Sequence, residues 1–255
     1  MTRSIFTKTL STIAVMMLYA MLCGAQAPKD TVRVLCLGNS FTYVADSHLK
    51  FAQIADSQGH PVRMKALYVG GYTFNDHLTD IKSVKAVENL KEPYFAIFLQ
   101  DQSQALPRYA SDPRRFRYIK SDAVELALRA RMYCPDARIF LEQTWSYPAI
   151  DCGGFGTLDE FDRLATKGAK AISKASGTMV SPIGQAFVLA REICPEIDLL
   201  GKDRKHQSAY GSYLKACVNY LIAFGEKFSG KVSDCGLDPQ KTAELRKVAE
   251  MTVLK

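Results

Sequence analysis

The chain has 255 residues, of which 47% are hydrophobic and 23% are charged, and its formal net charge is +7. This composition is typical of a globular protein that buries a sizeable core, and it excludes a low-complexity chain. The basic residues are spread along the sequence, and their densest group, residues 108–120, has the pattern of a solvated face. We therefore expect no nucleic-acid partner, and at most a mild preference for acidic substrates or surfaces.

The first 27 residues are predicted to be a secretory signal peptide. Arg3 and Lys8 precede an apolar run at residues 10–23, and small residues follow it. Cleavage after Ala25 or Ala27 removes both cations and lowers the net charge from +7 to +5. The apolar run is shorter than the roughly 20 residues that span a bilayer. We therefore expect an exported protein, periplasmic or extracellular, without a stable membrane span.

Residues 28–255 are expected to form a single domain. Short runs rich in β-branched or aromatic residues predict five strands: Thr31–Leu37, Val62–Val69, Tyr94–Gln100, Ala137–Gln143 and Gly177–Pro182. Longer amphipathic patterns predict helices at residues 44–58, 74–90, 114–133, 158–176, 183–193, 208–224 and 240–254. Because each strand is followed by a helix, the fold class is α/β: a three-layer α/β/α sandwich around a five-stranded parallel sheet.

Polar or glycine-rich segments follow every predicted strand. In a parallel sheet the carboxyl ends of the strands meet at one edge, where the loops lead into helix N-termini and where ligands bind. The glycines of residues 146–157 further suggest a mobile loop over the same edge. The segments that follow the five strands are Gly38–Ser40, Gly70–Tyr72, Gln100–Ser103, Thr144–Ser146 and Ile183–Gln185.

Ser40 follows the first strand, where it is either a helix cap or a nucleophile. A serine hydroxyl needs a base to take its proton, and that base is usually a histidine oriented by a carboxylate. His206 lies in a polar loop before a helix, with Asp203 three residues upstream, so the two side chains can face each other. The other three histidines, His48, His60 and His77, are expected at the surface or in packing contacts.

The cysteines allow disulfides without requiring them. Cys36 lies inside an apolar strand pattern and is expected to be a buried free thiol, whereas Cys134, Cys152, Cys194 and Cys235 lie near loops and could pair. The sequence contains no Cys-x-x-Cys motif and no Cys/His spacing typical of a metal site. We therefore expect neither a bound metal nor another cofactor.

An ordered set of short motifs resembles the SGNH (GDSL-type) hydrolase superfamily, and most closely a branch of bacterial domains in that superfamily. The set spans nearly the whole mature chain, although each motif alone is weakly specific. Asn39 stands where the superfamily usually has aspartate. The motifs are "LGNSFT" at residues 37–42, the pair Gly70-Gly71, "LQDQSQ" from Leu99, and "HQSAYGSYL" from His206.

The resemblance implies a flavodoxin-like SGNH fold and a serine esterase mechanism. Ser40 would be the nucleophile, His206 the general base and Asp203 its orienting acid. The oxyanion hole would consist of the backbone N–H groups of Ser40 and Gly71 and a side-chain amide after the third strand. That amide belongs either to Gln102, by position from the strand end, or to Gln100, by likeness to related esterases.

The substrate predicted from these features is an acyl ester, with an acetylated carbohydrate favoured. Asn39, Trp145 and Tyr147 are candidate pocket residues, since an aromatic ring can stack on a sugar, although Trp145 is equally suited to packing. Two alternatives are a lipase-like or thioesterase-like enzyme and a non-catalytic glycan-binding module on the same fold. A dinucleotide-binding protein is disfavoured because residues 37–42 lack the Gly-x-Gly-x-x-Gly spacing.

Overall fold

The computed structural model describes residues 30–89, 91–148 and 154–254. The predicted signal peptide and Cys152 lie outside the described residues. The five strands are β1 (Val32–Gly38), β2 (Val62–Tyr68), β3 (Ala96–Leu99), β4 (Arg138–Glu142) and β5 (Met179–Ser181). They form a single parallel sheet in the order β2-β1-β3-β4-β5. This confirms the α/β class and the five-stranded parallel sheet.

Helices pack on both faces of this sheet. A short helix, α1 (Ser40–Tyr43), directly follows β1 and is joined to α2 (Ser47–Ser57) by a 3-10 turn at Val44–Asp46. In chain order the helices are α1 (Ser40–Tyr43), α2 (Ser47–Ser57), α3 (Phe74–Thr79), α4 (Ile81–Val87), α5 (Ala105–Ser111), α6 (Arg117–Tyr133), α7 (Leu158–Ser176), α8 (Ile183–Ile193), α9 (Ala209–Phe224) and α10 (Pro239–Val253).

The core consists of two apolar clusters, one on each face of the sheet. Alternate residues of β1 enter different clusters: Val34 and Cys36 join one, and Leu35 and Leu37 join the other. Both faces of the strand are therefore buried, as expected for a parallel sheet covered by helices on both sides. The most deeply buried helix is α9, in which 12 of 16 residues are buried, and it packs in the first cluster beneath α1 and α2.

Three helices differ from the sequence prediction. Helix α1 lies before the helix expected at residues 44–58 and was not predicted. The helix expected at residues 74–90 is broken into α3 and α4 at Asp80, whose backbone is extended. The carboxylate of Asp80 accepts hydrogen bonds from the backbone N–H and the hydroxyl of Ser83, at 2.8 and 2.9 Å, and so caps a new helix. Helix α5 was not predicted, because it is short and Pro107 lies within it.

The cysteines that the structure describes are free thiols. Cys36 is buried and unpaired, which confirms its prediction. Cys134, Cys194 and Cys235 are also unpaired, so no disulfide joins these three. Cys134 is packed in one apolar cluster, whereas Cys194 and Cys235 lie in or against the other, on the opposite side of the sheet, so Cys134 can pair with neither. Among the described helices, none has the length and apolar character needed to cross a bilayer.

Candidate active site

Asn39, rather than Ser40, caps the helix that follows β1. The Asn39 side-chain oxygen accepts a hydrogen bond from the N–H of Phe41 at 3.1 Å, and Ser40 is the first residue of α1. The Asn39 amide donates to the carbonyl oxygens of Tyr72 and Asp101, at 2.9 and 3.1 Å. The Ser40 hydroxyl therefore has no capping role, and it forms no hydrogen bond with any described residue.

Two side chains, one in α9 and one in the segment before it, donate hydrogen bonds to backbone carbonyls of α1 and of the turn after it. The carbonyl oxygen of Phe41 accepts hydrogen bonds from Lys215 Nζ at 2.9 Å and from Gln207 Nε2 at 3.1 Å. Gln207 also donates to the carbonyl of Val44, at 2.6 Å. The following residue, Ala45, has a φ of +52°, an unfavourable conformation for a residue with a Cβ. These contacts fix the turn that carries Ser40.

Asp203 and His206 are hydrogen-bonded to each other in the loop before α9. Asp203 Oδ2 lies 2.5 Å from His206 Nδ1, and Asp203 Oδ1 accepts the backbone N–H groups of Lys205 and His206, both at 3.0 Å. The hydrogen bond from His206 lowers the pKa of Asp203 to about 2, and the two backbone donors add to this effect. The carboxylate is thus ionised at neutral pH and fixes the imidazole with Nε2 directed away from it.

Ser40 and His206 line the same cavity, of about 270 Å³, at the carboxyl edge of the sheet. His206 Nε2 is shielded from solvent and has no hydrogen-bond partner among the described residues. A buried ring nitrogen without a partner is costly in a purely structural role. The cavity is lined by Asn39, Ser40, Phe41, Tyr43, Gly70, Gly71, Gln102, Ser103, Lys205 and His206.

Two backbone donors in the cavity lining are unengaged. The N–H groups of Ser40 and Gly71 donate to no group in the part of the chain that the structure describes. Gly71 has a φ of +79°, and a Cβ built there would meet no atom within 4 Å, so the backbone conformation rather than lack of space requires glycine. Both donors are free to bind an oxygen that enters the cavity.

The two candidate glutamines occupy different environments. Gln102 lines the cavity, where its Nε2 has only a 3.3 Å contact with Ser103 Oγ. Gln100 is buried outside the lining, and its Oε1 accepts the Asn39 N–H at 3.2 Å and the Thr42 hydroxyl at 3.1 Å. Its Nε2 donates to the carbonyl of Asp101. Gln102 is therefore the amide available to a ligand, whereas Gln100 supports the turn beneath it.

Trp145 and Tyr147 lie beneath the cavity rather than in its lining. The Trp145 ring is stacked on Phe41 and on Phe187, with ring centroids 4.4 and 4.5 Å apart, and its N–H donates to the carbonyl of Lys205 at 3.2 Å. The Tyr147 hydroxyl lies 3.0 Å from Ser103 Oγ. Both rings are 1% exposed, so they buttress the site and do not present a face to a sugar.

Sequence reasoning missed several residues that hold the site. Lys215 and Gln207 support α1, and His77, which was expected to be a surface or packing residue, donates from Nε2 to the carbonyl of Gly38 at 3.0 Å. The His77 side chain is buried, and burial lowers its pKa. The sequence around these residues does not indicate their roles, because each donates a hydrogen bond to a backbone carbonyl that is distant in sequence.

The five-stranded parallel sheet covered by helices on both faces is the fold of the SGNH hydrolases, as the comparison with solved structures shows. No protein-family model and no curated protein matches the sequence. Within the described residues, no group of three or more acidic, histidine or cysteine side chains is arranged to hold a metal.

Solved structures match over most of the chain. A DUF4886 family protein from Bacteroides uniformis has a TM-score of 0.69 at 19% identity, covering 88% of this chain and 95% of that one. A protein from Slackia heliotrinireducens assigned to the SGNH hydrolases has a TM-score of 0.57 at 20% identity, covering 76% and 98%. A variant of an acetyl xylan esterase from Geobacillus stearothermophilus has a TM-score of 0.53 at 15% identity, covering 78% and 97%. At these identities the matches establish the fold.

Proposed function

We propose that the protein is an exported serine esterase that hydrolyses short acyl esters, acetyl esters of carbohydrates above all. The proposal rests on one observation. His206 Nε2 is buried and unpartnered among the described residues, in a residue that shares a cavity with Ser40. Asp203 holds the opposite ring nitrogen, which leaves Nε2 as the position that exchanges a proton.

In the proposed first half-reaction, Ser40 Oγ attacks the ester carbonyl and gives its proton to His206 Nε2. The tetrahedral intermediate then expels the alcohol, which takes that proton back from His206, and an acyl-serine remains. No hydrogen bond joins Ser40 Oγ to His206 Nε2 among the described residues. This agrees with enzymes in which that contact tightens only when substrate binds.

In the second half-reaction, water attacks the acyl-serine while His206 takes one of the water protons. Collapse of the second intermediate releases the carboxylic acid and returns the proton to Ser40 Oγ. The oxyanion of both intermediates would accept hydrogen bonds from the free N–H groups of Ser40 and Gly71 and from the amide of Gln102. One such donor typically contributes about 100-fold to 1,000-fold in kcat.

The acyl group is inferred from the size of the cavity and from the comparisons. About 270 Å³ is small for a ligand pocket, which suits an acetyl or similarly short acyl chain better than a fatty acid. The acetyl xylan esterase with this fold supports a carbohydrate ester. Export is inferred from the sequence of the first 27 residues. In a non-catalytic glycan-binding module, a buried imidazole nitrogen without a partner would cost stability and would have no catalytic role.

The proposed function is tested with purified mature protein and 4-nitrophenyl acetate. We expect Ser40→Ala and His206→Ala each to lower kcat by at least about 1,000-fold, as for the members of other triads. Ser111→Ala is the matched control, because Ser111 is exposed on α5 and bonds only to the carbonyl of Arg108. Circular dichroism confirms that each variant is folded. If folded Ser40→Ala hydrolyses the ester at the wild-type rate, the proposal is wrong.

A further inference from the structure

A second cavity adjoins the first. It has a volume of about 440 Å³, and Gln102 lines both cavities. Its other lining residues come from the segment after β3, the start of α3, and helices α5 and α6. If Ser40 attacks the ester carbonyl and the carbonyl oxygen is bound by Gln102, the rest of the substrate would therefore lie beside this second cavity.

Asp101 is the most unusual residue of the second cavity. It is 4% exposed, and its Oδ1 accepts the N–H groups of Gln102 at 2.7 Å and of Phe74 at 3.1 Å. Its Oδ2 has no hydrogen-bond partner among the described residues. Burial raises the pKa of Asp101 to about 7. Its Oδ2 is accessible from the cavity that Asp101 lines, where a ligand can reach it with a hydrogen-bond donor.

Helix α6 supplies a second acceptor and an aromatic ring. Tyr118 and Asp122 are one helical turn apart and line the same cavity, and Asp122 forms no hydrogen bond with any described residue. The Tyr118 side chain is 51% exposed, which leaves ring area for a ligand to cover, and buried Ile119 adds apolar surface. The single cation, Arg108, is engaged at 2.6 Å with Gln104 Oε1.

The chemistry of this lining discriminates between classes of ligand. Two carboxyl groups offer acceptors for hydroxyl donors, while an exposed aromatic ring offers a stacking face, and together they suit a neutral pyranose. An anionic sugar would meet the Asp122 carboxylate with like charge. A fatty acyl chain would cover the polar oxygens of Asp101 and Asp122 without giving them hydrogen-bond partners.

We propose that the second cavity is a subsite for an uncharged pyranose unit of the substrate, whose hydroxyls donate to Asp101 and Asp122 and whose ring packs on Tyr118. This rests on the proposed esterase function, because the subsite presents the sugar-borne ester to Ser40. It further specifies the substrate as a neutral acetylated oligosaccharide. The backbone N–H of Gln102 donates to Asp101, so the subsite and the residue that carries the oxyanion amide are in direct contact.

The test measures kcat/KM for two kinds of acetyl ester, acetylated xylo-oligosaccharides and 4-nitrophenyl acetate. The readout is the kcat/KM for the xylo-oligosaccharides divided by the kcat/KM for 4-nitrophenyl acetate. We expect Asp122→Asn and Tyr118→Ala each to lower this ratio about tenfold, the loss expected for one hydrogen bond or one stacking contact. Glu125→Gln is the matched control, because it also removes one carboxylate from the exposed part of α6 and should leave the ratio unchanged. Acetylated oligogalacturonides serve as the anionic comparison and should be the poorer substrate.

The outcomes separate the two proposals. If wild-type protein shows no Ser40-dependent hydrolysis of 4-nitrophenyl acetate, the esterase function itself is wrong. If that activity is present but Asp122→Asn and Tyr118→Ala both keep the wild-type ratio, the subsite is wrong and the esterase stands. A higher kcat/KM for the acetylated oligogalacturonides than for the xylo-oligosaccharides also overturns the subsite.

Discussion

Lys215 and Glu142 form a buried ion pair directly beneath the helix that carries Ser40. Lys215 Nζ lies 2.6 Å from Glu142 Oε2, and the two side chains are 3% and 4% exposed. The same ammonium donates to the carbonyl of Phe41, and Asn219 donates to the other Glu142 oxygen at 2.7 Å. One ionic contact thus joins the end of β4, helix α9 and helix α1.

Lys215→Met is predicted to destabilise the protein strongly. It leaves the Glu142 carboxylate buried without its cation, a change that typically costs about 3–5 kcal/mol, and it removes one donor from the Phe41 carbonyl. Urea unfolding measures the loss. The double variant Lys215→Met/Glu142→Gln should recover part of it, because no uncompensated charge remains. If Lys215→Met alone keeps the wild-type urea midpoint, this account of the ion pair is wrong.

Gln102→Ala and Gln100→Ala are predicted to have different effects. Loss of the Gln102 amide from the cavity should lower kcat for 4-nitrophenyl acetate about 100-fold. It also removes the acceptor of the part-buried Gln104 N–H, a single hydrogen bond that contributes about 1 kcal/mol. Loss of Gln100 leaves the Asn39 N–H and the Thr42 hydroxyl without their acceptor, which should cost about 1–3 kcal/mol in urea unfolding. The assignment is reversed if Gln100→Ala keeps the wild-type urea midpoint while its kcat falls to the level expected for Gln102→Ala.

Local sequence signals predicted those elements whose ends are set locally. The bounds of α7 were predicted correctly, because Thr157 caps its start and Gly177, at a φ of +66°, ends it. The order of the strands placed Ser40 and His206 at one edge, and they do share a cavity. Their catalytic roles stay a prediction.

Contacts between distant segments could not be read from the sequence. Lys215 lies within a helix of mostly apolar residues, and its partner, Glu142, is 73 positions away. The sequence near either residue therefore does not predict the ion pair. Trp145 follows a strand at the functional edge, but Phe187 and Phe41 enclose its ring. Only the packing of α1 and α8 shows that this ring is covered rather than open to a sugar.

Asn39→Asp, which introduces the residue that the superfamily usually has, is predicted to be unfavourable here. The Asn39 amide donates two hydrogen bonds, to the carbonyls of Tyr72 and Asp101. An aspartate carboxylate has no proton for either bond and would face both oxygens, so we expect a loss of about 2–3 kcal/mol and a lower kcat. Asn39→Ser tests capping alone, since it keeps an acceptor for the Phe41 N–H. An Asn39→Asp protein as stable and active as wild type would refute the role of the amide.

Asp101→Asn is predicted to change how stability depends on pH. The pKa of Asp101 is raised from 3.8 to about 7 by burial, and Asp122 and Asp76 add repulsion. Between pH 4 and 7 the native state therefore keeps a proton that the unfolded state has released, so Asp101 makes stability fall as pH rises through this window, by at most about 4 kcal/mol. Asparagine can still accept the N–H groups of Phe74 and Gln102 through Oδ1 but cannot ionise.

The measurement is urea unfolding of wild type and Asp101→Asn at pH 4, 5, 6, 7 and 8. Buried His77 and half-buried His48 have lowered pKa values and make stability rise with pH in an overlapping window. Their contribution is common to both proteins, so the difference between the two curves isolates Asp101. We expect Asp101→Asn to gain stability relative to wild type as pH rises from 4 to 7, and then no further. A difference that is constant across the whole range would mean that Asp101 is ionised in the native state throughout.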